Sequence, residues 1–259
     1  MNRQGPNGIS YLDWSWSVVV GCTHGCPWCW ARRQAKRQKH RCQKCYDFVP
    51  HYHPERLDEP LRRKKPSVIG VAFMGDLFDP ALADQDIWDV LGRMEMADWH
   101  RFVVLTKQSR RASGYVFSPN VVLGVSITDQ PSADRLIPEL LECQAATRIV
   151  SIEPMLGPVD LWRMPLVSGY GYGWANPFNG KHPSLTGDGK RGPYLDGVIL
   201  GGQTGPGAAP LHPDWVRKVR DDCAAAGVPF FLKSLGPGKG RVLDGRTHDE
   251  TAWEKAGEQ

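Results

Sequence analysis

Val121-Val-Leu-Gly-Val-Ser-Ile-Thr-Asp-Gln-Pro-Ser-Ala-Asp-Arg-Leu-Ile-Pro-Glu-Leu-Leu-Glu-Cys143, followed shortly by Thr147-Arg-Ile-Val-Ser-Ile152, reads as strand, helix, strand. The two end runs are largely apolar and rich in β-branched residues, which implies burial on both faces, as in a parallel sheet. Between them Leu136, Leu140 and Cys143 share one helical stripe over Pro131–Cys143, and Pro131 sits where a first turn accepts proline. Asp129 is placed to cap that helix.

The same alternation extends in both directions. Ser15–Val20, Val68–Met74, Arg101–Thr106, Gly197–Leu200 and Pro229–Lys233 are further strand candidates. Asp84–Trp99 aligns Ile87, Leu91 and Met94, and Pro213–Ala226 aligns Trp215, Val219 and Cys223 ahead of a terminating Gly227. Repetition of this kind predicts an α/β fold, either a barrel or a doubly wound sheet; periodicity does not choose between them. Two segments break the rhythm. Residues 163–194, rich in Gly, Pro and aromatics (Tyr170, Tyr172, Trp174, Phe178), form a long loop that is either a substrate lid or a passive insertion. From Gly236 the chain is polar and Gly-rich, with a small hairpin through Val242 to Arg246. The expected layout is one domain over 1–235 with 163–194 inserted in it, then a polar extension over 236–259.

At 259 residues, 41% hydrophobic and 23% charged, the chain can bury one substantial core and is neither disordered nor membranous. No apolar run is long enough to span a bilayer, and the opening residues lack the layout of a signal peptide, so a cytoplasmic location is expected. A formal net charge of +4 says little about partners, but its distribution says more. Seven Lys or Arg and no acid fall between Arg32 and Lys44, and Arg62, Arg63, Lys64 and Lys65 make a second cluster. Such blocks suit either a solvated face or phosphate contact.

Of seven cysteines, Cys22, Cys26, Cys29, Cys42 and Cys45 crowd into 24 residues, which in a reducing compartment points to metal or redox chemistry. Cys143 and Cys223 lie in helical patterns and read as buried apolar residues. Cys22-Thr-His-Gly-Cys26-Pro-Trp-Cys29 has C-x3-C-x2-C spacing directly after the first strand. Three thiolates on one short loop can bind three corners of a [4Fe-4S] cluster and leave one iron open. Cys26-x2-Cys29 and Cys42-x2-Cys45 can instead form two zinc knuckles, a four-thiolate site that strands Cys22. In a third arrangement iron takes Cys22, Cys26 and Cys29, while Cys42 and Cys45, with His51 and His53, hold a structural zinc or nothing.

At these residues the sequence resembles the radical S-adenosylmethionine (SAM) superfamily, whose signature is this loop with an aromatic, here Trp28, before the last cysteine. Phe73-Met-Gly-Asp-Leu-Phe78, Val104-Leu-Thr-Lys107, Leu123-Gly-Val-Ser126, Val150-Ser-Ile-Glu-Pro154, Gly201-Gly-Gln-Thr-Gly-Pro206 and Pro229-Phe-Phe-Leu-Lys233 extend it. Together they are similar to a phage- and prophage-associated radical-SAM-like family without an established substrate, distantly similar to spore photoproduct lyase. The resemblance implies a partial (β/α)6 TIM-like barrel with mostly parallel strands. It also implies a [4Fe-4S] cluster and SAM as cofactors, a donor such as flavodoxin or ferredoxin, and a 5′-deoxyadenosyl radical that abstracts hydrogen from the substrate.

By the same resemblance Cys22, Cys26 and Cys29 are the metal ligands and Trp28 lies beside the cofactor. Gly75 and Asp76 stand where the superfamily binds the SAM ammonium, although only Gly-Asp matches the usual Gly-Gly-Glu-like segment. Lys107 and Ser126 are candidates for the SAM carboxylate and ribose, Glu153 for ribose or substrate, and Gly202 with Gly201 for close approach to adenine. Ordinary structural roles compete at each: loop polarity, an ion pair at Glu153 and a tight turn at the glycines. Similarity to photoproduct lyase and the basic runs suggest DNA or a nucleotide as substrate, hence a lyase or modifying enzyme. Two other functions fit: a zinc-stabilised nucleic-acid-binding protein without catalysis, and a SAM-binding barrel that has lost turnover and acts as a phage or host-interaction factor.

Overall fold

A computed structural model describes residues 1–5, 8–162, 164–168, 171–175, 177–178 and 194–253. The chain divides into two compact units, one of Met1–Leu123 with Trp253–Gln259 and one of Gly124–Ala252.

The first unit begins with β1 (Asn2–Arg3) and β2 (Trp14–Trp16), then β3 (Val19–Val20), α1 (Trp30–Ala35), α2 (Gln43–Asp47), β4 (His51–Tyr52) and α3 (Glu59–Arg62). It continues with β5 (Val68–Val71), α4 (Asp84–Met96), β6 (Arg101–Thr106) and α5 (Ser109–Ala112). β2 pairs with β5 and β5 with β6, both parallel, while β1 runs antiparallel to β2. Every residue of β5 is buried, as its unbroken apolar run predicts. α4 buries Ile87, Val90, Leu91 and Met94, the stripe that the 3.6-residue period dictates. Phe102 sits at the centre, fully buried and tilted against Trp16 with ring centroids 6.1 Å apart. Phe102→Ala is expected to cost about 3–5 kcal/mol through lost burial and the cavity left behind, measured as a urea midpoint shift at unchanged slope.

The division between the units falls inside β7 (Val121–Ile127). The second unit follows with α6 (Gln130–Leu141), β8 (Thr147–Ile152), β9 (Met164–Ser168), β10 (Gly171–Ala175), β11 (Gly197–Gly201), α7 (Pro213–Ala226), β12 (Phe230–Ser234), β13 (Val242–Leu243) and β14 (Arg246–Thr247). β11 pairs in parallel with both β8 and β12. Asp129 caps α6, its carboxylate accepting the Ser132 N–H at 3.0 Å while the Ser132 hydroxyl oxygen accepts the Asp129 N–H at 3.1 Å. α7 buries Val216, Val219 and Cys223; Trp215, expected on that stripe, is half-buried and stacks on His212 with centroids 5.5 Å apart. Past Gly236 the chain returns to β12, where the Leu232 N–H donates to the His248 carbonyl at 2.9 Å. The polar extension therefore covers a strand, with Leu243 and His248 buried.

The strand order is β1-β2-β5-β6-β7-β8-β11-β12. This is a mixed α/β fold built on an eight-stranded, mostly parallel sheet. The predicted first strand over Ser15–Val20 is two strands, β2 in the large sheet and β3 in a separate two-stranded sheet with β4. The candidate lid over 163–194 lies largely outside the described residues; within it, β9 and β10 pair as an antiparallel hairpin. Among the described residues no helix is long and apolar enough to cross a membrane.

Candidate functional site

Cys22, Cys26 and Cys29 lie on the loop between β3 and α1, half-buried, and none of the seven cysteines is in a disulfide. The loop is held by the segment that follows β5. The Gly21 N–H donates to the Met74 carbonyl at 3.0 Å, and Gly21 and Gly75 form a parallel bridge. A Cβ on Gly75 would stand 2.5 Å from the Gly21 carbonyl oxygen, so glycine is required for this approach. Asp79, fully buried, accepts both the Thr23 N–H and its hydroxyl at Oδ2, at 2.6 and 2.9 Å. Its Oδ1 accepts the Ala81 N–H at 3.0 Å, and Arg111 donates to its carbonyl oxygen. Asp79→Ala would leave Thr23 without its anchor, and is expected to cost about 2 kcal/mol by chemical denaturation.

The sulfurs receive backbone donors. His24 N–H points at Cys22 Sγ at 3.4 Å, and Arg32 N–H at Cys29 Sγ at 3.3 Å, making Cys29 the cap of α1. Cys22 and Cys29 pack with Met74 against Ala31, Ala35 and Phe48. Burial pushes the Cys22 thiol up to about 12, and raises Cys26 as well, although the Lys107 charge pulls Cys26 the other way. Burial thus favours the protonated form of Cys22 and Cys26 without a cation; a bound cation reverses that preference. Trp28 is half-buried, its carbonyl accepting from Arg33 at 3.2 Å.

Gly75 and Asp76 lie on the segment that follows β5, which ends at Val71 rather than at the expected Met74. The Asp76 carboxylate is buried and accepts from Phe78 N–H (3.0 Å), the Thr106 hydroxyl (2.7 Å) and Lys107 N–H (2.9 Å). It thereby ties the segment after β5 to the end of β6. Burial raises its pKa, against the pull of these three donors and of Lys107.

A second constellation lies beside the loop. One ligand atom each from Cys42, Cys45, His51 and His53 falls within 4.8 Å of the others, a group that could hold a metal ion. His51 Nε2 is 3.5 Å from both sulfurs, and His53 Nε2 is 3.3 Å from Cys45 Sγ. Tetrahedral zinc, with Zn–S ~2.3 Å and Zn–N ~2.05 Å, requires S···N separations of roughly 3.5 Å. Both far ring nitrogens are engaged, His51 Nδ1 with the Val49 carbonyl at 2.8 Å and His53 Nδ1 with the Glu55 carboxylate at 2.7 Å. A carbonyl and a carboxylate only accept, so each Nδ1 carries the proton and each Nε2 lone pair faces the sulfurs, the usual outer arrangement of a metal-bound histidine. The four-thiolate alternative of Cys26, Cys29, Cys42 and Cys45 is not gathered among the described residues.

Within the second unit, Ser126 is half-buried in β7, and Glu153 follows β8. Lys233 Nζ lies 3.0 Å from Glu153 Oε1, and the Ser151 hydroxyl 3.4 Å from Oε2. A Cβ on Gly201 would collide with the Glu153 carboxylate, and one on Gly202 would stand 2.8 Å from the Gly236 nitrogen. The two glycines thus make room for an ion pair and for the chain's own return.

A family model described as Protein of unknown function (DUF5131) matches residues 6–255. The chain belongs to this family. No curated protein and no solved structure matches it. The span shared with the DUF5131 family takes in every candidate site residue, both cysteine groups included.

Sequence reasoning missed Asp79 and Lys233. Asp79 had no local signal, since its partner Thr23 is 56 residues away. Lys233 had one: it is the penultimate residue of β12 and Glu153 follows β8, opposite charges near the ends of two strands that flank β11.

Proposed function

We propose that the protein is a radical SAM enzyme of the cytoplasm, on a partial (β/α)6 TIM-like barrel of the radical SAM type, acting on a nucleic acid or nucleotide-related substrate. The observation that supports this best is the sorting of the thiols. Cys42 and Cys45 have His51 and His53 as partners, which leaves Cys22, Cys26 and Cys29 to one another on a single loop; among the described residues these three are not gathered at single-ion distances. A trio of half-buried thiols with two N–H···S contacts and a glycine cradle at Gly21 and Gly75 suits a [4Fe-4S] cluster. When bound, such a cluster with SAM on its open iron, reduced by a flavodoxin or ferredoxin, supplies a 5′-deoxyadenosyl radical for hydrogen abstraction.

The chain's own residues orient and shield. Lys107, whose charge reaches Cys26, neutralises a carboxylate placed beside the trio. Asp76, with three donors already on its carboxylate, fixes the segments on which Gly75 and Lys107 stand. Zinc at Cys42, Cys45, His51 and His53 is structural in this reading, because four protein ligands close the coordination sphere. Arg32, Arg33, Lys36, Arg37, Lys39, Arg41 and Lys44 are all exposed, a face suited to phosphates, with exposed Trp30 at its edge.

The same basic face and four-ligand group favour a second reading, a zinc-stabilised nucleic-acid-binding protein without catalysis. Anaerobic reconstitution with iron and sulfide separates the two. The enzyme takes up about four irons per chain, absorbs broadly near ~400 nm with bleaching by dithionite, and forms 5′-deoxyadenosine from SAM. A colourless protein with one zinc and no iron leaves only the binder.

A further inference from the structure

We propose that the metal at Cys42, Cys45, His51 and His53 is the clamp that shapes the three-thiol loop, so that filling the first centre is a condition for filling the second. The inference rests on the reading above and assigns the zinc a task within it.

Three sets of contacts join the centres. β3 pairs with β4 in the register Val19↔Tyr52 and Val20↔His51, so a metal ligand lies across from a residue two positions before Cys22. The His53 N–H extends this ladder, donating to the Val18 carbonyl at 2.8 Å. Next, the backbone between the ligands packs directly on the loop's entry. A Cβ at Gly21, whose φ is +90°, would stand 2.6 Å from the Pro50 nitrogen and run into the Val49 carbonyl. Finally, Phe48 packs with Ala31 and Ala35 into the cluster that seats Cys22 and Cys29. Arg32 stacks over the Phe48 ring at 4.9 Å and donates to the Cys22 carbonyl at 3.4 Å.

The segment carrying these contacts is poorly equipped to hold itself. α2 has five residues and β4 two, lengths at which neither helix nor hairpin is stable alone. Phe48 adopts a left-handed φ of 59°, a conformation unfavourable for a bulky side chain that its surroundings must impose. Four ligands from residues 42–53 on one divalent ion convert this segment into a closed knuckle, since ion binding here is folding free energy. Phe48, Val49 and His51 then present fixed walls to Gly21, Cys22 and Cys29. With the ion removed, β4 is released from one end, Phe48 loses its imposed conformation, and two of the three thiols lose the surface they pack against.

The test uses the full chain in three states: zinc-loaded, stripped by a chelator, and stripped then given Zn²⁺ alone. Amide hydrogen exchange over residues 18–33 and iron per chain after anaerobic reconstitution are read for each. Stripping is expected to speed exchange over 18–33 on the order of tenfold, leave the amides of β5 and β6 unchanged, and lower iron uptake severalfold; Zn²⁺ restores both. Phe48→Ala keeps all four ligands, and is expected to retain one zinc yet show the same faster exchange and poorer iron uptake. Unchanged exchange and iron uptake after stripping, or in a zinc-loaded Phe48→Ala protein, overturn the clamp and leave the cluster reading standing. A wild-type chain that binds no zinc overturns it too. Zinc-dependent protection of 18–33 in a protein that takes up no iron upholds the clamp and removes the cluster instead.

Discussion

Cys26→Ala is expected to abolish 5′-deoxyadenosine formation while leaving the fold intact. Cys26 is the best of the three thiols for this purpose. It is half-buried, and it takes no part in the apolar cluster that seats Cys22 and Cys29. Truncation therefore removes a ligand without opening a core cavity, and stability should move by no more than about 0.5 kcal/mol. Activity should fall by more than ~100-fold, because changes to residues that merely support metal ligands already cost 10–100-fold. Anaerobically reconstituted wild type and variant are compared by product formation, iron content and melting temperature. Equal product from both removes the three-thiol assignment, whatever happens to the iron.

Cys45→Ser is expected to remove the metal and a large part of the stability together. Cys45 is buried and its sulfur lies within 3.5 Å of both imidazoles, so it stands at the centre of the four-ligand group. Burial raises its pKa in the absence of a cation, and the adjacent Cys42 adds to the shift. A hydroxyl there is a poor zinc ligand and leaves a polar atom in a dry site. The variant should lose its zinc and about 3 kcal/mol or more of unfolding free energy, a fraction of the ~10–16 kcal/mol by which zinc folds an isolated finger. The control is a strong chelator: it should bring wild type down toward the variant and leave the variant unmoved. Wild type indifferent to the chelator and free of zinc would show that the four side chains pack without an ion.

Much of the architecture is legible in the chain. β6, β7 and β8 coincide with the predicted Arg101–Thr106, Val121–Ile127 and Thr147–Ile152, because short β-branched, largely apolar runs bounded by polar turns leave little room for another reading. The split of Ser15–Val20 was not legible. Nothing local shows that Trp16 accepts from Ala72 in the large sheet while Val18 accepts from His53 in the small one; that depends on segments more than thirty residues away. The cysteine trio was visible from spacing alone, and so was the Cys42–Cys45 pair. His51 and His53 are two residues apart, the spacing that puts both imidazoles on one side of an extended chain. Only the turn at Phe48 and the antiparallel register of β3 and β4 bring them back to the sulfurs. At Glu153 the sequence offered a ligand role or an ion pair, and Lys233, brought over from β12, supplies the ion pair.

Cys29 holds two posts at once, as a member of the trio and as the residue whose sulfur accepts the Arg32 N–H at the head of α1. Alanine at this position would therefore confound two losses, fraying the first turn as well as deleting a thiolate. Serine is among the preferred residues for that leading position, and its oxygen can take the same N–H while offering iron a far poorer donor. Cys29→Ser thus separates architecture from coordination chemistry within a single side chain.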